Sequence, residues 1–156
     1  GMEKGDPEIM KISPRNPDEP ILDKGMVRAI IFQSGAIALG SLLAYRWGLK
    51  TYGKEGLIMA RTITFATLIT AELLRAYSTR SEKHTIFEIG IFSNRTLTYA
   101  TLFSFVLLIV VIYVPFLQPI FDTYPLNFND WQVVLLYAFL PLVVGEVFKL
   151  YNIRKK

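Results

Sequence analysis

Residues 96–121, TLTYATLFSFVLLIVVIYVPFLQPIF, run for 26 positions without a charged side chain. An α-helix rises about 1.5 Å per residue, so roughly 20 apolar residues cross about 30 Å of bilayer hydrocarbon. This run is long enough to do so, with Pro115 expected to end or kink the helix because it lacks an N–H. Val106–Val114 would also suit a buried strand by composition. In lipid, however, only helices and closed barrels pair every backbone polar group, and four such runs in 156 residues favour helices.

Three further runs repeat the pattern. Ala29–Tyr45 holds 17 uncharged residues between Arg28 and Arg46, near the lower limit for a span, and the flanking arginines can snorkel to extend it. Within it Ala36, Gly40 and Ala44 recur every fourth position on one helix face. Such a stripe admits another helix at close range, or reflects only the abundance of small residues in membrane helices. The connector 46–57 carries Trp47 and Tyr52, which suit a membrane–water interface. In the next run Arg61 and Arg75 are only about 21 Å apart along a helix, so the helix must pass both, over about 57–77. The last run, Trp131–Gly145, contains Pro141 as an expected kink and leads to Glu146 and Lys149, read as a solvated ion pair at a helix end.

The chain is therefore read as an all-α polytopic membrane protein with a transmembrane domain over 25–150 and spans at about 27–47, 57–77, 96–116 and 131–149. Before it lies an extended segment, 1–24, in which Pro7, Pro14, Pro17 and Pro20 block helix. After it comes a basic tail, 151–156. The first 28 residues hold no apolar core, so no signal peptide is expected. Gly1-Met2 reads as a tag remnant before a start, and the chain as a piece of something longer.

Composition agrees with this. Hydrophobic residues make up 52% and charged residues 19%, and the charges cluster between the apolar runs. The net charge of +4 does not indicate nucleic acid, because the basic residues stand at span ends and not along one polar face. There is no cysteine, hence no disulfide or thiolate metal site. Four spans put both termini on one side. With the 78–95 loop, that side collects 13 of the 17 basic residues; Arg46, Lys50, Lys54 and Arg61 remain opposite. The positive-inside rule then predicts cytoplasmic termini in the cell membrane. In the 78–95 loop, Phe87, Ile89, Ile91 and Phe92 interrupt the polar residues, so part of it is expected in the interface. His84 is the only histidine and has no second ligand nearby, so a solvated side chain is expected.

Glu72 is the residue with functional promise. A charge at mid-bilayer costs roughly 2.5–3.5 kcal/mol on insertion scales, so an acid inside a span marks a site. A carboxylate there suits a hard cation or a proton. Equally, Glu72 can pair with Arg75 at i+3, both snorkelling. No phosphate loop, metal cluster or nucleophile–base pair is present in the sequence, so the segment alone is expected to catalyse nothing.

A set of short matches in order goes further: DPEIM at 6–10 with Pro14-Arg15-Asn16-Pro17 and Glu19-Pro20-Ile21-Leu22, Arg61-Thr62, Arg80-Ser81-Glu82, Gly90-Ile91-Phe92-Ser93-Asn94, Tyr113-Val114-Pro115, Asp130-Trp131, and Pro141 with Glu146 and Lys149-Leu150. These resemble the C-terminal membrane region of P-type cation-transporting ATPases of the calcium-pump kind, over nearly the whole chain. The resemblance implies transmembrane helices seven to ten, with the phosphorylated aspartate, the nucleotide pocket and most cation ligands upstream. It implies calcium as the transported ion, ATP and magnesium used by the parent protein, and Glu72 as one cation ligand. It implies as partners the lipid bilayer, the remaining transmembrane helices and the cytoplasmic domains, the last touched by the N-terminal segment. The alternative is an independent four-helix membrane protein whose small-residue stripe docks a partner helix as an assembly module.

Overall fold

A computed structural model describes residues 24–53, 56–81 and 84–153. Among them are seven helices and no strand: α1 (Lys24–Tyr52), α2 (Leu57–Ser78), α3 (Ile86–Ile89), α4 (Arg95–Tyr113), α5 (Gln118–Phe121), α6 (Phe128–Ala138) and α7 (Leu140–Ile153). Four helical stretches are long and apolar enough to cross a membrane: Gly25–Tyr52, Leu57–Ser78, Arg95–Tyr113 and Phe128–Tyr151. The all-α, four-span reading holds. The proline-rich segment up to residue 23 and the tail from 154 lie outside the described residues.

Charges at a membrane boundary do not stop a helix, and the helices run past them. Helix α1 has 29 residues and includes both Arg28 and Arg46, each exposed. Helix α2 includes Arg61 and Arg75, as the length argument requires. The prolines act as expected. Helix α4 ends at Tyr113, and Val114 turns extended in front of Pro115. The last span breaks at Phe139, between α6 and α7, because Pro141 at the second position of α7 cannot donate to the Tyr137 carbonyl.

Helix α2 is the centre of the bundle, packed against α1, α4, α6 and α7. Its inward residues are small or β-branched: Ala60, Ile63, Ala66 and Ala71 among Thr62, Thr67 and Thr70. With no water available, two of these threonines close their hydroxyls onto the preceding turn. Thr62 Oγ1 donates to the Ile58 carbonyl and Thr67 Oγ1 to Ile63, each at 2.8 Å. The core joins Ala44, Ile63, Ala66, Leu108, Ile112, Leu126 and Val134.

The small-residue stripe of α1 is buried inside this bundle. Ala36, Gly40 and Ala44 are all covered, and the row continues to Gly48. A Cβ on Gly40 would lie 2.8 Å from the Tyr137 carbonyl oxygen, the acceptor that Pro141 leaves without its helical donor. A Cβ on Gly48 would lie 2.7 Å from the Cα of Ala60. The close approach is thus made to α2 and α6 of the same chain, which removes the stripe as a dock for a foreign helix.

Candidate functional site

The helix ends carry the polar chemistry. At the end bearing the 79–94 loop, Glu146 and Lys149 on α7 face inward. Their side chains are 15% and 8% exposed, so the pair is not the solvated one the sequence suggested. Lys149 Nζ donates to Glu146 Oε1 at 3.0 Å and to the backbone carbonyl of Ser78, with His84 O at 3.4 Å. Glu146 also accepts from Ser78 Oγ at 2.7 Å and, through Oε2, from the Ile86 N–H at 3.1 Å. The lysine thereby serves a terminal carbonyl of α2, where a cation opposes the negative end of the helix dipole. The glutamate ties the incoming loop to the same point. Gly145 makes room for this: a Cβ there would meet Gln33 Nε2 at 2.9 Å and Ser78 Oγ at 3.1 Å.

The loop beyond is a built structure. Thr85 and Glu88 form a capping box around the single turn of α3. The Thr85 backbone N–H, bonded to Glu88 Oε2 at 2.7 Å, holds the Glu88 carboxyl below the ordinary value of 4.5. The Thr85 hydroxyl acts the same way, and the His84 and Lys149 charges add to it. His84 Nδ1 lies 3.9 Å from Glu88 Oε2, with a side chain 43% exposed. Arg80 spans the turn, donating to Gly90 O at 2.9 Å and to Ser93 Oγ at 2.7 Å. Asn94 caps α4 by accepting from the Leu97 N–H at 3.0 Å.

The opposite end has its own network. Asp130, 2% exposed, accepts from the Tyr52 hydroxyl at 2.8 Å and from the Asn127 N–H at 2.8 Å. Asn127 in turn caps α6 by accepting from the Asp130 N–H. Trp131 Nε1 donates to the Tyr113 hydroxyl at 2.8 Å, and that hydroxyl donates to Leu126 O at 2.6 Å. The Asp130 carboxyl is therefore met by a tyrosine hydroxyl and one backbone N–H.

Glu72 lies six residues before the end of α2, away from both clusters. Its Oε2 accepts from Arg75 Nε at 3.0 Å, the i+3 pairing anticipated from the sequence, and its side chain is 47% exposed. Leu68, one turn earlier, is also exposed. Among the described residues no three His, Cys, Asp or Glu side chains gather to hold a metal ion. The sequence reading singled out Glu72 and missed Ser78, Asp130 and the depth of the Glu146–Lys149 pair. Thr85–Glu88 and Asn127–Asp130 were detectable as polar pairs three apart in front of apolar runs.

A bundle of four lipid-length helices, with capped polar networks at both ends and one carboxylate on an uncovered helix face, defines a polytopic membrane segment. The chain belongs to the family of cation-transporting ATPase C-termini, whose pattern it matches over residues 1–151. It is 33% identical over 164 residues to calcium-transporting ATPase 1 of Bacillus cereus, a match covering 96% of this chain and 18% of that protein. To the calcium-transporting ATPase of Bacillus subtilis it is 34% identical over 151 residues, covering 94% and 16%. To the human calcium-transporting ATPase type 2C member 1 it is 32% identical over 151 residues, covering 96% and 16%. The chain thus spans less than a fifth of the length of these relatives.

Proposed function

We propose that this chain is the C-terminal membrane part of an ATP-driven calcium pump, supporting the transport core and contributing Glu72 to a cation site. The observation that carries this is the placement of Glu72. It is a carboxylate within a lipid-length helix, on a face of α2 where its side chain stays half exposed, held by an arginine of its own helix. In a protein five to six times longer, that face is where neighbouring transmembrane helices belong. A hard oxygen ligand among them suits calcium, the ion named for the relatives. ATP and magnesium act in the cytoplasmic domains of the parent protein. The termini and the 79–94 loop face the cytoplasm, and the protein resides in the cell membrane.

The test is calcium-dependent ATPase activity of the parent pump with Glu72→Gln. Losing one charged ligand is worth roughly 1.5–3 kcal/mol, so half-saturating calcium should rise about tenfold or more. An unchanged calcium dependence removes Glu72 from the site.

A further inference from the structure

The four most exposed large hydrophobic residues described are all phenylalanines: Phe87 at 83%, Phe116 and Phe128 at 77%, and Phe92 at 74%. None lies in the middle of a span. Phe116 and Phe128 flank the α4–α6 connection at one end of the bundle, and Phe87 and Phe92 sit in the 79–94 loop at the other. We propose that Phe87 and Phe92, with Ile91 beside them, anchor the loop by inserting into the interfacial layer of the bilayer. The occupant of this surface is lipid: the boundary between headgroups and acyl chains.

Three observations point there. The loop leaves α2 at Ser78 and enters α4 at Arg95, and both are ends of lipid-length helices, so it starts and finishes at the membrane surface. The rings are displayed by a fixed scaffold and not by slack chain. Ile86 is buried with its N–H on Glu146, the Thr85–Glu88 box sets the turn of α3, and Arg80 clamps Gly90 and Ser93. Gly90, at φ +84°, supplies the left-handed bend that carries Ile91 and Phe92 out of line with α3. Finally, two equally exposed phenylalanines, Phe116 and Phe128, recur at the far end of the bundle, and Phe is among the residues that bury into the boundary of headgroups and acyl chains. Rings left in water at this exposure would be the least favourable surface of the loop, and the bilayer interface is the apolar medium at hand.

The chain contains no cysteine, so single labels report cleanly. Phe87→Cys and Phe92→Cys, each carrying a nitroxide in the full chain in phosphatidylcholine nanodiscs, should be more accessible to oxygen than to a water-soluble nickel chelate. Their depth should fall between that of Leu102→Cys on the exposed face of α4 and bulk water. Nickel accessibility equal to that of a free label overturns the proposal, and so does shielding from both reagents, which would mean cover by protein. Phe92→Trp keeps a ring should the cysteine variants fold poorly. With Trp47 and Trp131 replaced by Phe, so that it is the single indole, lipids brominated near the glycerol should quench its emission strongly. Emission unaffected by these lipids overturns the proposal equally.

Discussion

Lys149 and Glu146 show what a desolvated charge pair asks of its surroundings. Each makes further hydrogen bonds beyond the pair itself, to Ser78, His84 or Ile86. Breaking such a pair from one side leaves a lone buried charge, at about 3–5 kcal/mol. Lys149→Met should therefore lower thermal stability in detergent strongly, by several kcal/mol. The double variant Glu146→Gln with Lys149→Met should recover part of that loss, and Ser78→Ala should cost about 1 kcal/mol. Unfolding midpoints followed by circular dichroism separate these cases; equal losses for the single and double variants would contradict the pairing. Glu88 tells a different story because it is exposed. Its folded value lies below the ordinary 4.5. Its contribution is thus fully present above the unfolded value and fades as pH falls through the lower folded one. Exchange protection of the Thr85 and Glu88 amides should persist through neutral and mildly acidic conditions and be lost only below about pH 4.5. Loss already at neutral pH would contradict the part given to the Glu88 carboxylate.

At the scale of helices, the seam of α1 decides the packing. Gly40→Ala would push a methyl group against the Tyr137 backbone, which cannot yield as a side chain tip would. Overpacking of that kind costs about 1–3 kcal/mol. Gly35→Ala, where nothing lies within 4 Å, should be neutral or stabilise by about 0.5–1 kcal/mol through helix propensity. Comparing the two midpoints in one detergent checks the seam directly. The stripe itself was legible, since four-residue spacing of small residues is a local property. So were the four spans, the stop before Pro115 and the break at Pro141, each set by a residue's own backbone chemistry. The partner of the stripe was not legible, because it depends on which distant segment folds back, here Tyr137 and Ala60. The Glu146–Lys149 pair was misread for the same reason. Two charges beyond an uncharged run look solvated until a loop from 60 residues earlier closes over them. Glu72 was legible as an acid in a span, and its i+3 arginine with it. Its wider surroundings were not, since the face it occupies is left uncovered by the described residues.

For the molecule as a whole, the exterior is what lipid requires: Leu102, Phe103 and Leu107 on α4, Leu42 on α1 and Leu136 on α6 are all exposed. Charge then sets the sidedness. The start of α1, the end of α7 and the connection between α2 and α4 share one side of an even number of spans. In sequence order that side is assigned 13 of the 17 basic residues, and the connection between α4 and α6 contributes none to the other. Short loops with excess Lys and Arg stay on the cytoplasmic side, so the ends of α1 and α2 should be chemically distinguishable across an intact membrane. Thr51→Cys lies exposed near the C-terminal end of α1, and Thr79→Cys lies exposed just past α2. In sealed right-side-out vesicles a membrane-impermeant maleimide should label Thr51→Cys and spare Thr79→Cys until detergent opens the vesicle. In inside-out vesicles the order should reverse. Labelling of both from one side would mean that the helices between them do not cross, whereas a full inversion would keep the bundle and overturn its proposed orientation.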